Sequence, residues 1–400
     1  MDVLRFITAG SIDDGKSTLI GRLLLDTGNI KSDILESVKE DNDDVNLAFI
    51  TDGLRAERQA GITIDVAYKY FTTPNRKFII TDAPGHFQYT KNLVTGASGV
   101  DAMIILIDAT IGISSQTRRH SMVASFLGIR NIVVAINKMD VSGYDQSVYN
   151  SIKNSYSEIA IRLNLDQVTY IPISALKGDN VTRHSYHMPW YTGPALLQFL
   201  EACKPEIKAD DGRLSVTVQY VAGNNIFGRL VSGTIKRGQN VVVYPGRITS
   251  IVKEIINNYI IVEEAFTGHD ICVQLELQGT LMRGATITGI GEGPEYSNEF
   301  EADLCWLDEL SEVVLNRDYI LRIGANEVVS QVKEIISKRY IETLGYSNDQ
   351  KSVSVNEFAR VIIHTSSNIA YDNYSQVHET GRGILIDITT NNTSGALIIR

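Results

Sequence analysis

Residues 10–17 read Gly10-Ser11-Ile12-Asp13-Asp14-Gly15-Lys16-Ser17, and they stand between an apolar run that begins at Val3 and a helix-like segment that begins at Thr18. The spacing of the two glycines, the lysine and the serine fits the phosphate-binding loop pattern. In that pattern the glycines let backbone N–H groups curl around phosphates, the lysine reaches the outer phosphates, and the serine hydroxyl holds Mg²⁺. The flanking segments are the context that the pattern requires. We therefore predict a phosphate site that extends from Gly10 to Thr18.

The composition is that of a globular protein, with 44% hydrophobic and 21% charged residues in a chain of 400. This length predicts two or three domains. Apolar runs such as Met103–Ile107 are far shorter than the roughly 20 residues that cross a bilayer, so we expect no association with a membrane. The net charge of −10 disfavours broad binding to nucleic acid, because that affinity depends on Lys and Arg. The charge does not exclude binding of nucleic acid through a local basic patch.

The cysteines and the N-terminus bear on the compartment. Cys203, Cys272 and Cys305 are odd in number, far apart and without metal-ligand spacing, which is typical of buried thiols in a reducing compartment. The N-terminal residues show no basic region followed by an apolar segment, so the sequence predicts no signal peptide. We expect a cytoplasmic protein.

The chain divides into an α/β region and two β-rich regions. From residue 1 to 203, five short apolar runs alternate with amphipathic stretches, a pattern that predicts a mostly parallel sheet with helices on both faces. The runs are residues 4–8, 77–81, 102–107, 132–136 and 170–173. After a polar linker, glycine-punctuated β-rich runs predict one small β-barrel over residues 213–289 and another over residues 295–400.

Ligands of such parallel sheets bind at the carboxyl ends of the strands, and the second strong run ends in Asp82-Ala83-Pro84-Gly85-His86. An aspartate at this place is the usual partner of the Mg²⁺ shell, and Gly85 can bring its N–H close to a γ-phosphate. His86 could orient the attacking water, although a lone histidine is more often structural. We include residues 82–86 in the phosphate site.

Two further features near the phosphates carry open interpretations. Residues 46–64 form a long polar stretch that predicts a functional lid or disorder, and within it Thr63 could offer a hydroxyl to Mg²⁺ or be an ordinary strand threonine. Asp13 and Asp14 place negative charge inside the loop. They either turn to solvent, or they help to hold Mg²⁺ through water or contact a monovalent cation.

Two short stretches after later strands predict a base site, made of Asn137, Lys138, Met139, Asp140, Ser174, Ala175 and Leu176. The Asp140 carboxylate can accept hydrogen bonds from N1–H and the 2-amino group of guanine, a donor pair that adenine lacks, and the Ala175 N–H can donate to guanine O6. Such a polar site rejects the wrong base, because its groups would be left unpaired. We expect Asn137 to tie this segment to the phosphate loop and the stem of Lys138 to pack on the base.

Together, these segments and the two β-rich regions resemble the translation-factor class of GTPases. Within that class the chain is similar to the family of GTP-binding large subunits of heterodimeric ATP sulfurylases, the sulfate adenylyltransferases. The stretches that carry the resemblance are residues 10–17, 51–58, 61–68, 116–121 and 174–180.

The resemblance implies a subunit that hydrolyses GTP, with Mg²⁺, to drive adenylylsulfate formation from ATP and sulfate on a separate small catalytic subunit, which releases pyrophosphate. Lys16 would neutralise charge on the β and γ phosphates, and His86 would position water. Ser17, Thr63 and Asp82 would hold Mg²⁺. The alternative is an elongation-factor-like GTPase that delivers aminoacyl-tRNA, and a third interpretation is a nucleotide-binding β-barrel protein of unknown role.

Overall fold

A computed structural model describes residues 2–30, 47–50, 66–84, 90–205, 212–276, 281–291, 293–348 and 352–400. The N-terminal region contains a six-stranded sheet, whose strands are β1 (Val3–Ala9), β2 (Ala67–Thr72), β3 (Lys77–Asp82), β4 (Ala102–Asp108), β5 (Asn131–Asn137) and β6 (Val168–Pro172). The helices of this region, within the described residues, are α1 (Lys16–Asp26), α2 (Thr90–Ala97), α3 (Ser115–Phe126), α4 (Gln146–Leu163) and α5 (Leu196–Ala202), with a short 3-10 helix at Leu47–Ile50.

The sheet has the strand order β2-β3-β1-β4-β5-β6, and every neighbouring pair is parallel except β2 with β3. The prediction of a mostly parallel sheet is confirmed. The edge strand β2 was missed, since two of its large side chains, Tyr68 and Tyr70, are more than half exposed and give no continuous apolar run. The parallel order places the ends of β1, β3, β4, β5 and β6 at one edge of the sheet.

Both faces of the sheet are buried. On one face, Leu4 and Phe6 belong to a core that includes Ile20 of α1 and Leu200 of α5. Because successive strand residues point to opposite faces, Ile7 lies on the other face, and it is also fully buried. Helices therefore cover the sheet on two sides, as the sequence predicted.

The helices begin at residues that suit their positions. The backbone of Gly15, the residue before α1, has φ +93°, a left-handed conformation that favours glycine. The Ser114 side chain caps α3 by accepting a hydrogen bond from the Thr117 N–H. The Asp145 carboxylate caps α4 through the Ser147 N–H, and α4 ends at Asn164 in the left-handed region. Local sequence therefore sets where the helices around the sheet begin.

The first β-rich region forms a closed antiparallel barrel. Its strands are β7 (Ser215–Ala222), β8 (Asn225–Ser232), β9 (Thr234–Lys236), β10 (Asn240–Tyr244), β11 (Ile248–Asn257), β12 (Ile260–Val262), β13 (Glu264–Phe266), β14 (Asp270–Leu275) and β15 (Thr286–Gly289). The order β10-β15-β7-β8-β14-β11 closes through a β10–β11 pairing, while β12 pairs with one end of β11 and β9 pairs with β13. Closure removes the exposed edges that an open sheet would present. Strands β8 and β9 are separated by Gly233 alone, whose φ is +72°.

The second β-rich region is also a closed barrel. Its strands are β16 (Glu295–Trp306), β17 (Asp318–Ile323), β18 (Asn326–Arg339), β19 (Tyr346–Ser347), β20 (Phe358–Tyr371), β21 (Arg382–Asp387) and β22 (Thr393–Ile399). The order β17-β21-β22-β16-β20-β18 closes through a β17–β18 pairing, and the two-residue strand β19 pairs with the end of β18. The predicted fold class, an α/β domain followed by two small barrels, is confirmed.

The chain groups into two compact units, residues 1–206 with 340–345 and residues 207–339 with 346–400. The boundaries 1–203, 213–289 and 295–400 stay a prediction. Within the described ranges, no helix has both the length and the apolar composition that a membrane span needs.

Candidate nucleotide-binding site

The phosphate loop joins β1 to α1 and is held by its own lysine. Lys16 is buried, and its Nζ donates hydrogen bonds to the carbonyl oxygens of Gly10, at 3.0 Å, and Ser11, at 2.8 Å. The loop thus curls around the ammonium group at the start of α1. Backbone N–H groups at a helix start carry partial positive charge, which suits a bound phosphate.

The Lys16 ammonium lies among carboxylates but has little contact with solvent. Burial lowers its pKa below the ordinary value, and the charges of Asp82, Asp14 and Asp13 oppose this shift without cancelling it. A phosphate in the loop would supply the negative charge that the buried ammonium lacks from water. The lysine is therefore poised to favour an anionic ligand.

The two aspartates of the loop differ from one another. Asp13 is exposed, with φ +68°, which agrees with a residue turned to solvent. Asp14 is only 5% exposed, and its Oδ2 accepts a hydrogen bond from the Ser11 N–H. Burial raises the pKa of the Asp14 carboxyl, although the Ser11 N–H and the Lys16 ammonium oppose the shift. Turning to solvent, one of the two interpretations above, is thus wrong for Asp14, because its carboxylate shapes the loop from inside.

The oxygen atoms proposed for Mg²⁺ lie at the ends of β3 and the phosphate loop. Asp82 ends β3, is 2% exposed and accepts a hydrogen bond from Thr8 Oγ1 at 3.4 Å. Ala83 and Pro84 are buried behind it, while Ser17 and Thr18 are half-buried. A carboxylate and a hydroxyl form the hard oxygen donor set that Mg²⁺ prefers, so these residues fit the ion.

Three predicted residues, Thr63, Gly85 and His86, lie outside the residues that the structure describes, as does the predicted lid at residues 46–64 apart from Leu47–Ile50. Their assignments to Mg²⁺, the γ-phosphate and the attacking water stay predictions.

Asn137 joins the phosphate loop to the base loops. Its Nδ2 donates to the Asp14 carbonyl oxygen at 2.7 Å, and its Oδ1 accepts from the Ala175 N–H at 2.9 Å. The predicted tie is present. The same amide explains Gly15, since a Cβ at that position would collide with Asn137.

This contact changes how guanine O6 can be recognised. The Ala175 N–H, which the sequence assigned to O6, already donates to Asn137. The next N–H along the loop, that of Leu176, donates to no acceptor within the described ranges. We therefore expect the Leu176 N–H to donate to O6. The Ala175 N–H can contribute at most by sharing its hydrogen between Asn137 and O6.

Asp140 and Lys138 present their side chains beside these loops. Asp140 is half-buried, and its carboxylate has no hydrogen-bond partner among the residues that the structure describes, so it is available to a base.

Lys138 Nζ pairs with Asp108 Oδ2 at 2.7 Å, while a third of the Lys138 side chain stays exposed. Although burial opposes ionisation of Asp108, hydrogen bonds from Lys138 and Thr110 hold its pKa below the ordinary value. Met139 and Ser174 are fully buried and support the two loops.

Sequence reasoning missed several residues that build this site. Asp108 ends β4 as Asp82 ends β3, so the rule that found Asp82 could have found it. Arg22 of α1 donates to the carbonyl oxygens of Ala175, at 3.2 Å, and Leu176, and thereby fixes the base loop to the helix after the phosphate loop. In the sequence, Arg22 is marked only by Asp26 four residues later, which indicates an ordinary ion pair within a helix.

Replacement of Asn137 by alanine is expected to lower the free energy of unfolding of the nucleotide-free chain by about 2–3 kcal/mol. The change leaves the buried Asp14 carbonyl and Ala175 N–H without their partner, and each unmet group costs about 1–3 kcal/mol. Urea denaturation measures the loss. Asn75→Ala is the matched control, since Asn75 is exposed and its side chain bonds only to Glu201 among described side chains, and should change stability by less than about 0.5 kcal/mol. Equal effects of the two variants would contradict the linking role.

Two family models match the chain. The model described as the elongation factor Tu GTP binding domain matches residues 1–230, and the one described as GTP-eEF1A C-terminal domain-like matches residues 299–400. Sulfate adenylyltransferase subunit 1 of Psychromonas ingrahamii is 43% identical over 410 residues, covering 100% of this chain and 87% of the relative. The protein of the same name from Shewanella oneidensis is 40% identical over 413 residues, covering 99% and 85%. Among solved structures, sup35 complexed with GDP is 22% identical, with a TM-score of 0.45, and the match covers 100% of this chain and 93% of that chain.

Proposed function

Because this chain belongs to the sulfate adenylyltransferase subunit 1 family of GTPases, we propose that it hydrolyses GTP to drive sulfate adenylation on a separate small catalytic subunit. In the coupled reaction, ATP and sulfate give adenylylsulfate and pyrophosphate. The observation that carries the nucleotide part is the Asn137 side chain, which holds the phosphate loop and the base loop together. The sulfate part is supported by the names of relatives that match nearly the whole chain.

Selection of guanine follows from the donors and acceptors that the loops present. The half-buried Asp140 carboxylate accepts from N1–H and the 2-amino group of guanine, and the Leu176 N–H donates to O6. Adenine offers the opposite pattern at both positions. Lys138, anchored by Asp108, leaves its stem to cover the base. A site with these groups rejects adenine because its buried polar atoms would stay unpaired.

Lys16 and the backbone N–H groups of the phosphate loop neutralise the charge of the phosphates. Ser17, Asp82 and Thr63 would hold Mg²⁺, which supplies positive charge to the phosphate oxygens when it is bound. The Lys16 ammonium, held at the carbonyls of Gly10 and Ser11, neutralises charge on the β and γ phosphates.

Hydrolysis requires a water in line with the bond between the γ-phosphorus and the β–γ bridging oxygen. His86, four residues after the end of β3 at Asp82, orients this water, and Gly85 donates its N–H to the γ-phosphate. The water oxygen bonds to phosphorus as the bridging bond breaks, which gives GDP and inorganic phosphate. Loss of the γ-phosphate then alters the segments that touched it and, through them, the contact with the partner subunit.

The thiols support a cytoplasmic location. Cys203, Cys272 and Cys305 are each free and buried. Burial raises the pKa of the Cys203 thiol to about 11, so the thiolate is scarce at neutral pH. Three buried, unpaired cysteines suit a reducing compartment.

The decisive experiment mixes this chain with a candidate small subunit and measures adenylylsulfate formation from ATP and sulfate, with and without GTP. We expect GTP to raise the product well above the ATP-only equilibrium, with phosphate release from GTP rising in step. His86→Ala should still bind GTP but lose at least about tenfold in hydrolysis, the size of effect that positioned catalytic groups contribute, and the GTP-dependent gain with it.

Two other results would redirect the assignment. GTP hydrolysis without any gain in adenylylsulfate would support the GTPase assignment but contradict the role in sulfate adenylation. Filter binding of aminoacyl-tRNA would then test the elongation-factor alternative. Unchanged turnover in His86→Ala would remove His86 from the mechanism.

A further inference from the structure

A second contact, besides that of Asn137, joins the two base loops. The Tyr144 hydroxyl donates to Asp179 Oδ2 at 2.9 Å. Tyr144 follows Asp140 by four residues, and Asp179 follows Ser174 by five. This hydrogen bond therefore spans from the loop that presents the guanine-binding carboxylate to the loop that presents the O6 donor.

Asp179 is fixed on its own loop by two more hydrogen bonds. Its Oδ1 accepts from the Ser185 hydroxyl at 2.6 Å, and its backbone oxygen accepts from the Ser174 N–H at 3.1 Å. Ser174 in turn accepts from the Lys177 N–H through its Oγ, at 3.1 Å. The carboxylate is thus an anchored acceptor, and its position follows that of the turn carrying Ala175.

Tyr144 is equally fixed on the opposite loop. Its N–H donates to the Met139 carbonyl at 2.7 Å, and its carbonyl accepts from Trp190 Nε1 at 3.1 Å. Its ring stacks on His187, with centroids 4.8 Å apart. Its φ of +57° is a left-handed conformation that is uncommon for an aromatic residue, which indicates that the surrounding contacts hold it there. Burial, together with Asp179, raises the pKa of Tyr144 to about 12, so the hydroxyl keeps the proton that it donates.

We propose that Asp179 is a positioning residue that, through Tyr144, clamps the two base loops together and sets the lifetime and base selectivity of the bound guanine nucleotide. The inference rests on the proposed function. A hydrogen bond to a charged acceptor is roughly twice as strong as a neutral one, so this contact is suited to hold the loops closed on a ligand. The clamp resists separation of the Asp140 loop from the Leu176 loop, and such a separation would free the base.

Tyr144→Phe tests the clamp because it removes one hydroxyl and keeps the ring. We expect a fluorescent GDP analogue to dissociate roughly five- to tenfold faster. This change corresponds to part of the free energy that a hydrogen bond to a charged group contributes. The preference for GDP over IDP, which lacks the 2-amino group, should fall about threefold, because Asp140 would be less well aligned. Adding Tyr144→Phe to Asp179→Ala should accelerate dissociation little further, since both changes break one interaction.

Tyr170→Phe is the matched control, since its hydroxyl contacts Ser157 at 3.0 Å rather than either base loop, and its dissociation rate should stay within about 1.5-fold of wild type. If Tyr144→Phe lowers thermal stability but leaves the GDP lifetime and the GDP/IDP ratio unchanged, the clamp is only structural and the inference falls. If the wild-type chain binds no GDP at all, the proposed function fails instead.

Discussion

Asp140→Asn is expected to lower the affinity for GTP by at least about 100-fold and to shift the preference of the site to XTP. The carboxylate accepts two hydrogen bonds from guanine, whereas an asparagine amide would set a donor against one of the guanine donors. Xanthine carries a carbonyl oxygen in place of the 2-amino group, so the amide can donate to it. A site built to hydrogen-bond a base discriminates by factors of about 10⁴ or more, so 100-fold is a conservative estimate.

Titration calorimetry with GTP, XTP and ATP measures this exchange. Asp166→Asn provides a control with the same loss of charge, because Asp166 is an exposed residue between α4 and β6. Its affinities should match those of the wild-type chain. An Asp140→Asn variant that still prefers GTP would show that this carboxylate does not contact the base.

The fold was predictable where burial leaves a simple pattern in the sequence. Residues 102–107 and 132–136 are continuous apolar runs because β4 and β5 lie in the middle of the sheet and are covered on both faces. The 14-residue strand β18 (Asn326–Arg339) leaves no such pattern, since its pairing with β20 shifts register after Val332 and again after Ile335. Each bulge exchanges the faces to which later side chains point, so the alternation of polar and apolar residues is lost.

The site was predictable where a residue acts through its place at the end of a strand. Asp82 and Asn137 end β3 and β5, so the parallel order of the sheet accounts for their place beside the phosphate loop; the Mg²⁺ role of Asp82 stays a prediction. The supporting contacts were not predictable, because they join residues distant in sequence: Arg22 reaches Ala175 across 153 positions, and Tyr144 reaches Asp179 across 35. Nothing in the local pattern around Arg22 or Tyr144 indicates such a partner, and only the packed structure supplies it.

Lys16→Met should lower GTP affinity by about 100-fold or more and reduce hydrolysis at least as much. Methionine keeps much of the length of the side chain but removes the charge that the phosphates need. Two unit charges 4 Å apart near a protein surface interact by about 4 kcal/mol, which exceeds the roughly 2.7 kcal/mol that a 100-fold change represents. The carbonyls of Gly10 and Ser11 would also lose their donor, so the loop itself should loosen.

The pH dependence of binding separates the charge from the shape of the side chain. Burial lowers the pKa of Lys16 below its ordinary 10.5, and bound phosphate favours the ammonium, so GTP affinity should fall as pH rises through the lowered pKa. Lys16→Met should lack this component, and its profile corrects for titration of guanine itself. Lys177→Met, at an exposed lysine, should keep both the affinity and the wild-type profile. If Lys16→Met instead binds GTP as the wild type does, the loop lysine contributes no charge to the site and the phosphate assignment is wrong.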